Sequence, residues 1–389
     1  MQVQQIYSIV NDIAQETVGD TAVVNEDLSN IVDIGTQILG ATSVDNYVRS
    51  LIDKIGKTVF VNRVYNGNVP SVLRDGWEYG SILEKIDCEL PIATENDTWQ
   101  LTDGQSYNQD IFTKPTVSAK FYNSKVTFEI PLSIAERQVK ESFHSVTALN
   151  AFFSMIYNSV DKAMTIRISQ LVMRTINTLT AETLYDAFNG GAISGGSTSR
   201  AVNLLYLYNH TFSPATPLTA DKALTTPEFL RFASYTISLI RARMKEASEL
   251  YNMGGKTRFT PTDLQHVVML ADFSKASQIY LESDTYWKEL VALKSEGTMD
   301  EVAFWQGSGT DFGFSSVSKI DVKTPDNHTV SATGILAVLF DHDACAVTNE
   351  DRRVTTHYNA KAEFTNSWFK YDCSYLVDYN ENFIVFYVA

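Results

Sequence analysis

The sequence predicts an α+β fold, and three observations carry that prediction. Ser145–Phe188 contains no Pro or Gly, and its apolar residues Val146, Leu149, Phe153, Ile156, Val160, Met164, Ile168, Leu171, Ile176 and Leu179 recur at helical spacing. Between Ser81 and Ile130 the apolar residues instead alternate at period two, the signature of strands. From Val302 onward strand patterns dominate, yet no regular βαβ alternation appears, which favours α+β over a doubly wound sheet.

The long helix would reach about 60 Å at ~1.5 Å per residue, enough to span a domain. Ser145 is placed to cap it, and Ser133 with Glu136 forms a capping-box spacing that would open a short leading helix. Ahead of it, Ile82, Ile86, Cys88, Leu90 and Ile92 occupy even positions while Lys85, Asp87 and Glu89 face the other way. Val117, Ala119 and Phe121 then alternate on odd positions, and Val126, Phe128 and Ile130 on even ones. The change of parity at Tyr122–Lys125 requires a bulge or bend. Two such strands joined through the polar stretch 93–106 make an extended hairpin, which is poorly stable alone and wants a partner surface.

The remaining elements follow in order. Residues 1–44 read as short helices in an acidic arm that needs another surface to order it, and no Lys or Arg precedes Arg49. Val44–Ile55 carries a helical stripe ended by Gly56, and a strand over 58–65 follows. After the Gly/Ser connector Asn189–Ser199, Ala201–Tyr208 is strand or helix. Thr226 and Pro227 open a helix expected to run to about Tyr251, His266–Ala271 is a buried strand, and two short helices begin at Asp272.

Composition bounds the function. The chain has 389 residues, enough for two or three lobes, and its 44% hydrophobic and 20% charged residues are those of a soluble globular protein. No apolar run approaches the ~20 residues of a membrane span, and no signal peptide opens the chain. A net charge of −15 argues against holding nucleic acid by phosphate neutralisation. Cys88, Cys345 and Cys373, odd in number and far apart, read as small buried hydrophobes in a reducing compartment.

Candidate chemistry is sparse. In GGKT at Gly254–Thr257 the first Gly of a phosphate-binding loop would fall on Leu250, so a helix C-cap and turn is the better reading. The Asp-Phe-Gly within Gly307–Phe314 lacks the other kinase elements and reads as a Gly-rich loop. Asp341, His342 and Asp343 could supply metal ligands, but they sit at a strand-to-strand turn, where Asp is favoured for local hydrogen bonds. No catalytic, cofactor or metal site is therefore expected, and an assembling structural protein is favoured over an enzyme.

The order arm, hairpin, long helix, mixed lobe and returning strands resembles the major capsid protein of tailed bacteriophages, the Hong Kong 97 type of fold. The similarity is greatest to shell proteins of small short-tailed podoviruses. It rests on VDNYVRSLIDKIGKTVFVNRV, Tyr79-Gly80 leading into the hairpin, HVVMLADFSKASQIYLESD, and VTNEDRRVTTHYNAKAEFTNSWFKYDCSYLV. The resemblance implies an N-terminal arm at 1–62, an extended hairpin loop at 63–130, and a peripheral domain with its spine helix at 131–199. It further implies an axial domain at 200–340 and C-terminal strands of the peripheral domain at 341–389.

It implies a homo-oligomer of pentamers and hexamers enclosing double-stranded DNA without sequence-specific binding, with a scaffolding protein and a portal protein as partners and no membrane. Because no coiled-coil extension precedes the arm, the scaffolding protein would be a separate chain. The shell would be assembled in the host cytoplasm and become part of the virion. Hairpin residues Ile82, Ile86, Leu90, Val117 and Phe121 would contact a neighbouring subunit. Some relatives join a hairpin Lys to a neighbour's Asn; Lys85, Lys114 and Lys120 lie in or beside this hairpin, but the expectation is non-covalent assembly. An encapsulin-type compartment shell and a soluble α+β enzyme are the alternatives.

Overall fold

The computed structural model describes residues 3–18, 24–25, 29–41, 50–51, 69–75, 83–88, 93–107, 110, 112, 114–122, 124–190, 195–282, 298–306 and 313–389. The helix expected over 44–55, apart from residues 50–51, and the strand expected over 58–65 lie outside the described residues, as do Tyr79-Gly80 and residues 283–297. The chain divides into two compact units.

The first unit comprises residues 1–80, 125–173 and 347–374. Helices α1 (Val3–Val18) and α2 (Ile31–Ala41) pack against each other, burying Ile9, Val10, Ile13 and Ala14 on one and Ile31, Ile34 and Ile38 on the other. The arm thus covers part of its own apolar surface, where the sequence suggested that another surface was needed. At Gly35 a Cβ would run into the ring of Phe143, so the missing side chain is what lets α2 approach that residue.

Strands β1 (Leu73–Asp75), β4 (Lys125–Ala135), β11 (Cys345–Asn359) and β12 (Phe364–Val377) form a sheet in the order β1-β11-β12-β4. The segments read as two strands, ACAVTN and RRVTTHY, are one strand, β11. β4 runs to Ala135, so Ser133 stays in the ladder opposite Asn366 and donates a 2.6 Å hydrogen bond to its side chain. The expected capping box therefore does not form. Helix α3 (Glu136–Ser142) is capped two residues later than expected, at Ala135, and it is Gln138 that reaches back to accept the Ala135 N–H.

Helix α4 (Val146–Ala187) is unbroken over 42 residues, its first part in this unit and the rest, from Arg174, in the second. Ser145 caps it, its hydroxyl accepting the Ala148 N–H at 3.1 Å. Every residue of the predicted stripe from Leu149 to Leu179 is buried, and only Val146 is half-exposed. Beyond Leu171 burial spreads around the helix and takes in Thr175, Asn177, Thr180, Glu182 and Thr183. The Thr180 and Thr183 hydroxyls donate to the carbonyls four residues back, and the Asn177 amide N–H donates to the Trp305 carbonyl, so these three donors are buried with partners.

The second unit comprises residues 81–124, 174–346 and 375–389. Its five-stranded sheet has the order β5-β13-β10-β6-β7, formed by Ala201–Asn203, Phe383–Tyr387, Ile335–Asp341, Gln265–Leu270 and Thr298–Val302 respectively. β10 is antiparallel to both neighbours, whereas β5 with β13 and β6 with β7 run parallel. The three central strands are buried at every residue, which explains apolar runs such as ILAVLF in place of alternation. One core joins this sheet to α5 (Leu204–Phe212), α6 (Pro227–Arg243) and α7 (Ala271–Glu282) through Leu204, Phe229, Ile237, Phe273, Leu339 and Phe386.

Ala201–Tyr208, read as strand or helix, is both, with Asn203 ending β5 and capping α5 through the Tyr206 N–H. Pro227 stands at the start of α6 as expected, but the Thr226 hydroxyl donates to the Lys222 carbonyl instead of capping. α6 also stops at Arg243, short of Tyr251, because Ser248 leaves the helical path to bridge with Arg258.

Gly334 precedes β10 with φ +81, and a Cβ there would meet the backbone carbonyl of Val388. Strain and clash act together, so Gly334→Ala is expected to cost about 2–3 kcal/mol. Urea denaturation checks this, and a change below about 0.5 kcal/mol would show that the 334–388 contact yields freely.

Candidate assembly interface

Strands β2 (Leu83–Cys88) and β3 (Val117–Tyr122) pair antiparallel as a two-stranded ribbon in the second unit. β3 and β4 belong to different sheets, because the chain changes partner at the parity break: β3 pairs with β2, and β4 pairs with β12. Among the described residues the hairpin strands are six residues each.

The register makes the two faces of the ribbon unlike. On one face Ile86 lies opposite Ala119, Cys88 opposite Val117 and Glu84 opposite Phe121. Ile86, Val117 and Phe121 are 67%, 56% and 62% exposed. Cys88 is exposed as well, so the expectation of burial holds for Cys345 and Cys373 only; its place on this outward face is the reason. Ile82 and Leu90, the other two residues expected on this face, lie outside the described residues.

The opposite face puts Lys85 directly across from Lys120, a like-charge pair that would destabilise a free ribbon. Both reach the turn between β12 and β13. Lys85 Nζ lies 2.9 Å from Asp378 Oδ2 and 2.6 Å from Glu381 Oε1, and Lys120 Nζ lies 3.3 Å from Asp378 Oδ1 and 5.2 Å above the Tyr379 ring. Burial works against the Lys85 charge, but the bonds to Glu381 and Asp378 hold its pKa above the ordinary lysine value. Asp378 is also opposed by burial, yet Lys85, the Asn380 N–H and Lys120 hold its carboxyl below the usual range. For Glu381 burial outweighs Lys85 and Arg258, and its carboxyl titrates above the usual range.

The ribbon therefore turns its two lysines inward to fixed partners and Ile86, Val117 and Phe121 outward, the reverse of a strand pair that completes its own core. The tip continues this character. Trp99, 94% exposed in a short turn at Asp97–Trp99, stands in the stretch 93–106 that read as polar and turn-rich, and Phe112, beyond it, is 86% exposed. Sequence reasoning missed both, along with Asp378 and Glu381; the one available signal was two lysines on the same face of a hairpin, which demand carboxylates from elsewhere.

The other candidates resolve into structure. Asp341 accepts from the Thr260 hydroxyl at 2.6 Å and from the Asp343 N–H at 2.8 Å, as a turn residue does, while His342 Nδ1 lies 3.0 Å from His266 Nε2. Among the described residues no three His, Cys, Asp or Glu side chains are grouped to hold a metal. The GGKT stretch forms a turn whose Met253 and Gly254 N–H groups donate to the Tyr379 carbonyl, and most of the Asp-Phe-Gly loop lies outside the described residues.

No curated protein matches the sequence. Among solved structures, the fold is shared with a chain in the structure of head fiber and inner core protein gp22 of native bacteriophage P68, with TM-score 0.50 and 9% identity over 85% of this chain and 86% of that one. A chain in the capsid structure of Staphylococcus phage Andhra gives TM-score 0.48 and 11% identity over 84% and 86%. One in the capsid structure of the Cyanophage P-SCSP1u gives 0.48 and 12% over 85% and 92%. The model of the Phi29-like phage major capsid protein family matches residues 6–387, nearly the whole sequence, and the chain accordingly belongs to that family, the shell proteins of phage heads.

Proposed function

We propose that copies of this chain self-assemble into pentamers and hexamers in which the outward apolar face of the hairpin lies on the adjacent subunit. The observation that carries this reading is the exposure of Ile86, Val117 and Phe121 on one face while Lys85 and Lys120 secure the other. An apolar surface held out by an anchored ribbon gains free energy only when a second surface covers it, at ~25 cal/mol per Å² of apolar area. The same contact is proposed for Ile82 and Leu90, which share the even sequence parity of Ile86.

The arm is assigned to 1–62, the hairpin loop to 63–130, the peripheral domain to 131–199 with 341–389, and the axial domain to 200–340. A separate scaffolding protein and a portal protein complete the head, and assembly takes place in the host cytoplasm of a short-tailed phage. The role is structural, without catalysis. The net charge of −15 suits a wall that must not adhere to the DNA it encloses.

Negative-stain electron microscopy of the purified chain, with and without a co-expressed scaffolding candidate, tests the reading. Closed shells or capsomer-sized rings are expected, and a monomer under every condition overturns it. Shells boiled in denaturant should run as a single 43.5 kDa band, since the contacts are non-covalent; a ladder above it would contradict that.

A further inference from the structure

We propose that a cleft at the C-terminal end of α4, within the second unit, binds an organic cation, a primary ammonium or guanidinium group. The cleft encloses about 420 Å³, more than a bare ion fills. One wall is the last turns of α4, with Glu182, Tyr185 and Asp186. Across from it stand Asp326 and His328 from the turn between β8 (Ile320–Lys323) and β9 (Thr329–Ala332), and Tyr379 closes the side.

Charge and shape point the same way. The lining carries three carboxylates and neither Lys nor Arg. Asp186 is engaged by Arg200 at 2.6 Å, and Asp326 stands exposed at the rim. Glu182 is different, being only 8% exposed; Thr324 hydrogen-bonds its carboxylate, but its Oε1 accepts no hydrogen bond from any described residue. A buried carboxylate oxygen left without a donor costs free energy that a cationic N–H would recover. Tyr185 and His328 stack with ring centroids 4.2 Å apart, and with Tyr379 they give the cleft aromatic walls that favour a diffuse organic cation. A divalent metal needs several oxygens converging on one point, and no such group of three exists among the described residues.

The mouth is built, not incidental. The Met253 and Gly254 N–H groups donate to the Tyr379 carbonyl at 3.1 and 3.0 Å, and the absence of a Cβ on Gly254 lets the Asn380 side chain lie against the turn. This accounts for the GGKT stretch, which has no phosphate-binding context.

The cation can come from a basic side chain of a second copy or from a free polyamine, and the test separates them. Isothermal titration of the full chain with spermidine and with methylguanidinium, at fixed ionic strength, is expected to show binding that Glu182→Gln weakens about tenfold and Asp326→Asn about threefold. Glu141→Gln, in the first unit, should bind as the unaltered chain does. Asp326 is exposed, so its variant remains informative if Glu182→Gln fails to fold. In parallel, equal amounts of ¹⁴N- and ¹⁵N-labelled chain are coupled with carbodiimide and digested. An isotopically mixed peptide joining Lys to Glu182, Asp186 or Asp326 assigns the cation to a second copy, whereas spermidine binding without such a peptide assigns it to a free amine. The proposal fails if neither probe binds and no mixed peptide forms, if both variants bind like the unaltered chain, or if Mg²⁺ alone binds with the same dependence on Glu182. The spermidine and methylguanidinium titrations read a single chain and do not depend on the hairpin contact, whereas the mixed peptide also requires that copies associate.

Discussion

Ile86→Asp and Phe121→Asp are each expected to leave a folded chain that forms no shells. Both side chains are more than half exposed, so neither supports the core, and the melting temperature of the unassembled chain should move by less than about 2 °C. In an assembled shell the same positions would be covered. The substitution then loses about 1.5–3 kcal/mol of apolar transfer and must also desolvate a carboxylate without a partner, which costs several kcal/mol more. Since the contact recurs at every subunit, a loss of this size lowers the assembled fraction at least about a hundredfold, because each 1.4 kcal/mol is a factor of ten. Electron microscopy and velocity sedimentation provide the readout, with Lys114→Asp on the exposed tip as a control for added negative charge. Particles of normal size and yield from both variants would remove the ribbon from the interface.

What could be read from the sequence was local. The stripe of α4, the cap at Ser145, the buried strand at 265–270 and the two alternating faces of the ribbon depend on residues within a few turns or one hairpin of each other. What could not be read was pairing over long separations. β4 leaves the ribbon to pair with β12, Lys85 finds Asp378 and Glu381 nearly three hundred residues later, and His342 meets His266 across two strands. No periodicity announces such partners. Ser133 illustrates the conflict, since its local pattern favours a helix cap while Asn366 holds it in a sheet. The cleft at α4 was hidden for a related reason: Glu182 falls inside a helical stretch where a single carboxylate looks like surface, and only the distant segments at 326–328 and 379 show that it lines a cleft.

Lys85→Met should release the ribbon without unfolding the unit that carries it. The substitution keeps the aliphatic stem but strips Asp378, whose side chain is only 2% exposed, of its nearest cation, leaving Lys120 at 3.3 Å as partial compensation. Removing one member of a buried pair costs about 3–5 kcal/mol, and with Lys120 remaining about 2–3 kcal/mol is expected here. Amide exchange at 83–88 and 117–122 should therefore rise about 30- to 100-fold at pH 7, with β6 and β10 unchanged. Asp378 has a depressed pKa, so its contribution is present above the ordinary aspartate value and is lost as pH falls through the lower folded value. Lys85 has a raised pKa, and its contribution is complete below the ordinary lysine value, disappearing only as pH rises through the higher folded one. Glu381 works in the opposite sense: its raised pKa means that protonation in mild acid slightly favours the folded form. The exchange ratio of variant to unaltered chain, compared at equal pH, should accordingly be flat across neutral pH and shrink below about pH 4 as Asp378 takes up its proton. A ratio near one at pH 7 would mean that the apolar face, not the charged one, sets where the ribbon lies, and would weaken the case that it is held outward for a neighbour.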